Sequence, residues 1–553
     1  MRSILLSQVC PVVLFKTGCT NNEPPDEVLS QDEHHTLRLI AFNRQYNVSD
    51  RANFGMRKLL SPWVNVQSKW KQQSLLRSVS NLEYVLVECC VDSCMAFTGE
   101  YEDAHKCIWC SEPQYDEKGR PHNIFRYIPL IPRLSTFFFD PHLVELLNYR
   151  HKYEHQQGVY HDIFDGSHYH KLCETYVSIG DQILGYKFFE QMTDIALGLT
   201  FDGVSLFKDL GARVSKNQYS CTPLAVIVFN LPPTIHMQLE NILCLGVIPG
   251  PHEPKLLNTF LHPLYMECIA GAQGVKVFNA ATLCTFELHF FIIVVIADIK
   301  ALIKSLGTKG PNGISPCHKC PIRGMHNSTN PSVTTHYIPF TPPGGECQYD
   351  YLLANPRTTA TFHEQYKKIH NAPTKQAKDA LRKEFGINYE SLIAKAPGMD
   401  LVASHPVGPM HEIAENLMPN LFKLWSGRFK GLDEGSGDYR ISVDDWNMIG
   451  QELEASWMTI PSAFVRKMPN IFLSPSKMQA EDWMFWGLWL SPYLLAGRLP
   501  EPYYSHHLLL VKALKMYTHF TMTTSELNDF ADSMHKWIIG LEEYVLVLKS
   551  FIL

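Results

Sequence analysis

The feature that most constrains the fold is a series of apolar runs between Ile195 and Leu306. Three short runs, IALGLTFDG, PLAVIVFNLPP and NILCLGVIPGP, are separated by turn-forming residues and have the length of β-strands. A helix-like segment, KLLNTFLHPLYMECIA, then leads to the long run CTFELHFFIIVVIAD and to a short helix that ends at Gly307. The sequence therefore predicts the element order β-β-β-α-β-α, which belongs to the α/β class.

Two of these runs end in an acidic residue, the first in Asp202 and the fourth in Asp298. A carboxylate at the end of a buried strand lies at the edge of a sheet, and two of them on neighbouring strands can share divalent cations. Paired Mg²⁺ ions, about 4 Å apart, activate water and stabilise the leaving oxygen in phosphodiester cleavage. A single strand-end Asp more often caps a turn or helix. However, acids after strands one and four of a β-β-β-α-β order are the arrangement of the ribonuclease-H-like fold.

Four cysteines form two closely spaced pairs, Cys90-x3-Cys94 and Cys107-x2-Cys110. Knuckles with this spacing place four thiolates around a tetrahedral Zn²⁺ ion. Unrelated buried cysteines rarely occur twice at ligand spacing within so short a segment. The sequence therefore predicts a zinc-binding module, in which Cys89 competes with Cys90 as the first ligand.

A third pair, Cys317-x2-Cys320, lies in a polar segment rich in Gly, Pro and Thr that has the composition of an insertion. On its own this pair is half of a zinc site, and redox use is the alternative. Further ligands would come from His326, His336 or Cys347, of which we favour His336 as a zinc ligand.

The segment MHEIAENLMPNLFKLW has the apolar spacing of a helix. Its apolar stripe consists of Ile413, Leu417, Leu421 and Leu424. His411 and Glu415 are four residues apart and share a helix face turned away from that stripe. Glu412 is the competing acid, and a solvated first helical turn is the alternative interpretation of both carboxylates.

The chain has a formal net charge of −6, so any surface that binds nucleic acid must be local. The segment Arg357–Gly386 carries seven Lys or Arg against three acids and includes the helical piece KQAKDALRKEFG. We predict DNA-binding residues there, at Lys375, Lys378, Arg382 and Lys383, with a solvated helix face as the alternative.

Several other classes of protein find no support in the sequence. The longest apolar run, FFIIVVIA, is far shorter than the ~20 residues of a membrane helix, so we expect no membrane partner. The motifs of P-loop NTPases, dinucleotide-binding proteins, α/β-hydrolases and HExxH metalloproteases are missing.

Blocks along the chain resemble the En/Spm-like (CACTA) transposases of fungi. They are CCVDSCMAFTGEYEDAHKCIWCSEPQY, YIPLIPRL, IALGLTFDGVSLFK, YSCTPLAVIVFNLPP, LGVIPGPHEPK, ADIKALIKSLGTKGPNGISPCHKC and MHEIAENLMPNLFKLWSGRFKGLDEGSGDY. The resemblance runs from about residue 80 to about residue 545 in the order of the family. The VIPGP block and the GxNGxSPCxxC run are its most specific parts.

The resemblance implies a DDE-type DNA transposase with a ribonuclease-H-like core that uses Mg²⁺ or Mn²⁺. The first two acids of the family fall on Asp202 and Asp298, and the acid of its MHxxxEN block falls on Glu415. The implied partners are transposon ends, target DNA and further copies of the chain as a homo-oligomer, and the implied location is the nucleus. The zinc module would help to hold DNA or partner subunits.

One departure from the family keeps alternatives open. Relatives usually carry an Asp two residues before the Met-His pair, where this chain has Gly408. If that Asp is the true third ligand, the chain is a catalytically inactive relic that binds DNA or protein. A stand-alone metal-dependent nuclease is a further alternative on the same fold.

The predicted fold class is α/β, with a ribonuclease-H-like catalytic core, a zinc-binding N-terminal module, an insertion between the last strand and the catalytic helix, and a helical C-terminal region. The predicted divisions are a variable region 1–79, a zinc module 80–125, a helical connector 126–190, the first part of the core 191–307, the CxxC insertion 308–405, the catalytic helix region 406–450 and the helical C-terminal region 451–553.

Overall fold

A computed structural model describes residues 29–46, 48–80, 83–205, 219–326, 336–342, 344–408, 410–429, 438–461 and 463–543. The start of the predicted variable region, 1–28, and the end of the predicted C-terminal region, 544–553, lie outside the described residues. The chain divides into two compact units that do not follow chain order. The first unit comprises Met1–Glu154, Ser167–Ile296 and Ser391–Ser404, and the second comprises His155–Gly166, Ala297–Glu390 and His405–Leu553.

The described residues contain both strands and helices. The strands are β1 (Val85–Cys89), β2 (Asn123–Tyr127), β3 (Val159–Tyr160), β4 (Tyr176–Ile179), β5 (Gln182–Lys187), β6 (Ile195–Phe201), β7 (Val204–Ser205), β8 (Ser220–Val228), β9 (Leu243–Ile248), β10 (Val275–Asn279), β11 (Cys284–Leu288), β12 (Phe290–Ile296), β13 (Met325–His326), β14 (His336–Tyr337) and β15 (Met522–Thr523).

The helices are α1 (Gln31–Gln45), α2 (Asp50–Leu60), α3 (Lys69–Ser80), α4 (Leu130–Phe137), α5 (Pro141–Leu147), α6 (Tyr149–Lys152), α7 (Ser167–Cys173), α8 (Leu257–Gln273), α9 (Ile299–Leu306), α10 (Tyr349–Ala354), α11 (Thr359–Asn371), α12 (Lys375–Phe385), α13 (Met418–Trp425), α14 (Val443–Ser456), α15 (Ala480–Phe485), α16 (Ser491–Leu494), α17 (Tyr503–Tyr517) and α18 (Thr524–Leu541). Two segments, Met410–Leu417 and Trp486–Leu490, are π-helical.

The central sheet of the first unit has the strand order β12-β6-β8-β9, and the short β7 also pairs with β8. The β6–β8 and β8–β9 pairs are antiparallel, whereas β12 runs parallel to β6. Nearly every side chain of β6 and β12 is buried, as expected for strands that are covered on both faces. The first three predicted strands and the helix that follows them are confirmed in that order, and the protein has a mixed α/β structure.

One predicted strand proves to be two. The run CTFELHFFIIVVIAD divides into β11, which forms a hairpin with β10, and β12, which enters the central sheet. His289 lies at the division, and its Nδ1 is 3.2 Å from Oδ1 of the buried Asp194. In β11 polar residues alternate with apolar ones and most side chains are at least partly exposed, whereas β12 is uniformly apolar and buried. The apolar run alone concealed this change of environment.

Helix α8 packs closely against the central sheet. A Cβ atom on Gly271 would lie 2.5 Å from the ring of Phe290, so only glycine permits this approach. One helical turn before Gly271, the side chain of Glu267 accepts hydrogen bonds from the amides of Leu130 and Ile131 at the start of α4. The helix therefore joins the sheet to the segment that follows β2.

Helices α1 to α3 form a small cluster of their own within the first unit. Its core contains Leu29, Leu37, Ile40 and Leu75. The loop between α2 and α3 is tied to α1, because the Gln67 amide donates to Thr36 Oγ1 and Asn65 Nδ2 donates to Asp32 Oδ2. Much of the surface of α2 and α3 remains exposed.

The second unit has a helical core built largely from the C-terminal part of the chain. Trp446, Trp486 and Met418 are fully buried in it. The predicted apolar stripe is confirmed, since Leu421 and Leu424 are buried in this core and Ile413 and Leu417 pack against it. The predicted helical C-terminal region is helical in α15 to α18.

None of the helices in the described part of the chain combines the length and the apolar character needed to span a membrane.

Candidate functional site

The sulfur atoms of Cys90, Cys94, Cys107 and Cys110 converge in the first unit. Their Sγ atoms all lie within 4.8 Å of one another, and Cys90 Sγ and Cys110 Sγ are 3.3 Å apart. Cys90, Cys94 and Cys107 are buried, whereas Cys110 is half-buried. The predicted convergence is confirmed. Four thiols at this separation fit a tetrahedral ion such as Zn²⁺, whose bonds to sulfur are about 2.3 Å long.

The local fold of each knuckle follows from its position in the chain. Cys90 comes directly after β1, and the backbone turns back so that the Cys90 amide donates to the Met95 carbonyl. In the second knuckle the Cys107 amide donates to the Glu112 carbonyl in the same manner. Ser93 and Ser111 have φ angles of 56° and 63°, which close the two turns in the left-handed region.

Cys89 is not part of the cluster, although the sequence left it as a competitor of Cys90. It is the last residue of β1, and its sulfur is not among the four that converge. Its side chain is fully buried, and this burial raises the pKa of the thiol to about 12. The structure therefore selects Cys90.

The thiols of the cluster occupy different electrostatic environments. Burial raises the pKa of Cys94 to about 12, and the neighbouring thiols of Cys107 and Cys110 add to the rise. Burial also acts to raise the pKa of Cys107, but the amides of Cys110 and Trp109 outweigh it and the pKa is lowered. The Trp109 amide lies 3.4 Å from Cys107 Sγ. A cation among the sulfurs would stabilise all four thiolates.

The cysteine knuckles are attached to the sheet. The amides of Lys255 and Leu256 donate to the Cys94 carbonyl at 2.9 and 3.0 Å. Ser93 Oγ donates to the Gly250 carbonyl at 2.8 Å. These acceptors and donors lie in the loop between β9 and α8, which carries the VIPGP block. The module is therefore a packed part of the first unit and not a separate finger.

The two strand-end acids follow strands that end level with each other. In the parallel pair, Ile296 of β12 lies opposite Thr200 of β6. Asp202 follows β6 and is exposed, and Asp298 comes two residues after β12. The predicted neighbourhood of the two strands is confirmed, whereas the roles of the two acids remain a prediction.

Sequence reasoning missed a further acid, Glu253. A Cβ atom on Gly203, the residue after Asp202, would lie 3.0 Å from Glu253 Oε1. Glu253 belongs to the segment VIPGPHEPK, which is far from Asp202 in the sequence. Only the pairing of β8 with β9 brings it to the end of β6, and no local spacing could have indicated it.

Asp298 also has a structural role. Its Oδ1 accepts a hydrogen bond of 2.6 Å from the Ala301 amide and so caps the N-terminus of α9. The helix ends at Gly307, which has a φ angle of 67°. The capping alternative considered from the sequence therefore holds for Asp298, and the cap bond uses one of its two carboxylate oxygens.

Glu415 forms a hydrogen bond within its own segment of the second unit. Its Oε2 lies 2.8 Å from His411 Nδ1. A Cβ atom on Gly408 would lie 3.6 Å from His411 Cδ2 and 3.9 Å from the carbonyl oxygen of Ala297, the residue before Asp298. Position 408, where family relatives usually have Asp, is therefore close to the backbone next to Asp298.

The segment that carries Glu415 differs from the predicted α-helix. Met410–Leu417 is π-helical and changes to the α-helix α13 at Met418. Pro419 lies in the first turn of α13, where its missing amide hydrogen is not needed. Glu415 is exposed, whereas Glu412 is half-buried. Burial raises the pKa of Glu412, and Cys317 nearby adds to the rise, so the two acids occupy different environments.

Cys317 and Cys320 contact each other in the second unit. A hydrogen bond from Cys320 lowers the pKa of Cys317 to about 6, against the effect of burial, and the same contact raises the pKa of Cys320. Among the described side chains, no third His, Cys, Asp or Glu completes a metal site with them. The side chains of His326 and His336 lie outside the described residues, and Cys347 is exposed. The zinc ligand His336 therefore stays a prediction.

The basic segment divides into an exposed part and a buried residue. Helix α12 has no buried residue; Lys375 and Lys383 are exposed, and Lys378 and Arg382 are half-buried. Arg357, by contrast, is buried and lies 3.9 Å from the centre of the Phe362 ring. Arg357 therefore adds no charge to the exposed face of the segment, because its guanidinium is used inside the unit, and the DNA-binding role of Lys375, Lys378, Arg382 and Lys383 stays a prediction.

Comparison with known protein families gives one relationship. The sequence model of the transposase family tnp2 matches residues 181–341, which supports a relationship with transposases. The match includes Asp202, Asp298 and the Cys317–Cys320 pair, but not the four-cysteine cluster or Glu415. No curated protein matches the chain.

Proposed function

We propose that this chain is a DNA transposase of the cut-and-paste type, which cleaves DNA at transposon ends and joins the freed 3′ hydroxyl to target DNA. The catalytic residues are Asp202, Asp298 and Glu415, acting as a DDE-type set on a ribonuclease-H-like core. The tnp2 family match supports the transposase role and, with it, DNA as the partner.

The parallel pairing of β6 with β12 is the observation that carries this proposal. The three-stranded antiparallel run β6-β8-β9 and a fourth strand parallel to the first agree with a ribonuclease-H-like topology. Since Thr200 lies opposite Ile296, the chain leaves both strands at the same edge of the sheet and reaches Asp202 and Asp298. This relationship is what two carboxylates that share cations require.

Each proposed ligand has a distinct local support. Asp202 is exposed at the strand end and can accept a cation directly. Asp298 is held in place by its cap bond to α9. His411 holds the Glu415 carboxylate in one orientation through their hydrogen bond. When bound, Mg²⁺ or Mn²⁺ would activate the attacking hydroxyl group and stabilise the leaving oxygen.

The other parts of the chain have supporting roles in the proposal. The four-cysteine cluster binds Zn²⁺ and stabilises the module that helps to hold DNA or partner subunits. Lys375, Lys378, Arg382 and Lys383 contact DNA phosphates from α12, which presents its side chains to solvent. The chain acts in the nucleus as a homo-oligomer.

The test is cleavage of DNA that carries the terminal repeats of the element from which the gene derives. With Mg²⁺ or Mn²⁺ we expect nicks at the element ends, and with EDTA no cleavage. Asp202→Asn and Asp298→Asn should abolish the reaction, whereas Asp181→Asn, an exposed residue in the β4–β5 turn, should leave it unchanged. Metal-independent cleavage, or full activity of Asp202→Asn, would refute the proposal.

A further inference from the structure

The N-terminal helical cluster, residues 29–80, differs in charge from the rest of the chain. It contains eight Lys or Arg and three Asp or Glu, whereas the whole chain has a net charge of −6. From Arg51 to Ser80 there is no acidic residue at all. A local positive charge of this kind, in an otherwise acidic protein, fits a polyanionic partner.

The same cluster exposes large aromatic side chains. Trp63 and Trp70 are 75% and 74% exposed, and Phe54 is 55% exposed. Trp63 lies on the α2–α3 loop, which Thr36 and Asp32 tie to α1. Trp70 lies on the face of α3 opposite that of the buried Gln72 and Leu75, so it is directed away from the small core. These rings are held on an ordered surface without being part of the core.

Aromatic and basic side chains are interleaved on this surface. Lys58 Nζ lies over the Phe54 ring, 4.8 Å from its centre. Trp70 stands between Lys69 and Lys71 in the sequence, and both lysines are exposed. A helix that lies on a membrane separates its apolar face from its basic face. By contrast, surfaces that bind single-stranded nucleic acid alternate charges for the phosphates with rings on which bases stack.

We infer that residues 29–80 form a binding surface for single-stranded DNA, in which Trp63 and Trp70 stack on unpaired bases while Lys58, Lys69 and Lys71 contact phosphates. The choice of DNA over RNA rests on the proposed function. An unpaired strand is what a transposase meets where a cleaved end opens. Residues 29–80 are a different segment of the chain from α12 and from the proposed catalytic acids.

The experiment is fluorescence anisotropy of a labelled oligothymidylate, about 20 nucleotides long, with the full-length protein. We expect the double variant Trp63→Ala and Trp70→Ala to weaken oligonucleotide binding at least ~10-fold. The double variant Trp63→Phe and Trp70→Phe should keep most of the affinity, because Phe still stacks on bases. Replacing Lys58, Lys69 and Lys71 by Ala should make the plot of log association constant against log salt concentration less steep, by about 2 in slope. Phe520→Ala, a 98% exposed ring elsewhere, is the matched control and should change nothing.

Several outcomes would overturn the inference. Unchanged oligothymidylate binding by the double Ala variant would show that the rings do not stack on bases. Equal losses in the Phe and Ala variants would point to a folding defect or a structural role. Tryptophan-dependent binding to phosphatidylserine vesicles, without binding to the oligonucleotide, would identify a membrane surface instead. Asp298→Asn should retain oligonucleotide binding in every case, so a failure of terminal-repeat cleavage bears on the proposed function alone.

Discussion

Ile296 of β12 lies directly opposite Thr200 of β6 in a parallel pair of buried strands. The chain therefore leaves the central sheet of the first unit at the same level twice, once before Asp202 and once before Asp298. The segments that follow the two strands differ. Asp298 caps the helix α9, whereas Asp202 is followed by Gly203, which lies beside Glu253.

The four-cysteine cluster should bind one zinc ion per chain. Cys107→Ser should lose the zinc and unfold the module, because metal binding and local folding are coupled. Cys89→Ala should retain zinc, since Cys89 lies outside the cluster. The exposed Cys284, changed to Ser, serves as a control. Zinc content by atomic emission provides the measurement, and full zinc occupancy in Cys107→Ser would contradict this assignment.

Position 408 decides which residue completes the proposed acidic set. If Glu415 is the third ligand, Glu415→Gln should reduce metal-dependent cleavage on the order of a hundredfold or more, the loss typical of removing a preorganised charge. Gly408→Asp should then change the rate little, although the site has room for a side chain. Gly408→Ala controls for the change in the backbone. An inactive natural chain that gains cleavage only with Gly408→Asp would identify a lost ligand and favour the relic.

Arg357 should be structural, whereas Lys383 in the same basic segment should not. The Arg357 guanidinium donates to the Cys317 carbonyl at 2.9 Å and to Gln365 Oε1 at 2.7 Å. Arg357→Ala should lower the free energy of unfolding by about 2–4 kcal/mol, because it leaves buried acceptors unpaired. Lys383→Ala should change it by less than about 0.5 kcal/mol. Urea denaturation tests both, and equal effects would contradict the distinction.

The stability of the second unit should fall with acid because of His507. Burial lowers the pKa of this side chain to about 3, and its Nε2 bonds Ser491 Oγ at 2.7 Å. In the unfolded chain this histidine takes up a proton near pH 6.5, whereas in the native chain it stays neutral. The free energy of unfolding therefore declines as the pH falls from about 6.5 toward 3. His507→Gln should weaken this dependence, while the exposed His142→Gln should not. If the urea midpoints of His507→Gln and of the natural chain fell equally with pH across this range, the role of His507 would be contradicted.

The sequence predicted the parts of the fold that depend on local pattern. The apolar runs of β6, β8, β9 and β12 and the stripe around Leu421 each carry their own periodicity, and the cysteine spacing identified the zinc-type cluster. The boundary between β11 and β12 escaped prediction because it is set by the pairing of β10 with β11.

Tertiary contacts decided what the sequence left open in the candidate site. Glu253 reaches the neighbourhood of Asp202 only through strand pairing, and Arg357 is removed from the basic surface by burial. The π-helical turns around Glu415 also escaped prediction, because the apolar spacing of this segment is that of an α-helix. For Glu253 the deciding contacts join segments that are distant in sequence, so spacing along the chain carries no information about them.

The central claim is that Asp202, Asp298 and Glu415 hold the same cations. Iron-mediated affinity cleavage tests it directly, because Fe²⁺ in place of Mg²⁺ generates radicals that cut the polypeptide next to the bound metal. We predict cuts close to residues 202, 298 and 415 that Mg²⁺ suppresses and that Asp202→Asn removes at all three places together. Cuts at only one of these positions, or cuts that persist in Asp202→Asn, would contradict a shared site.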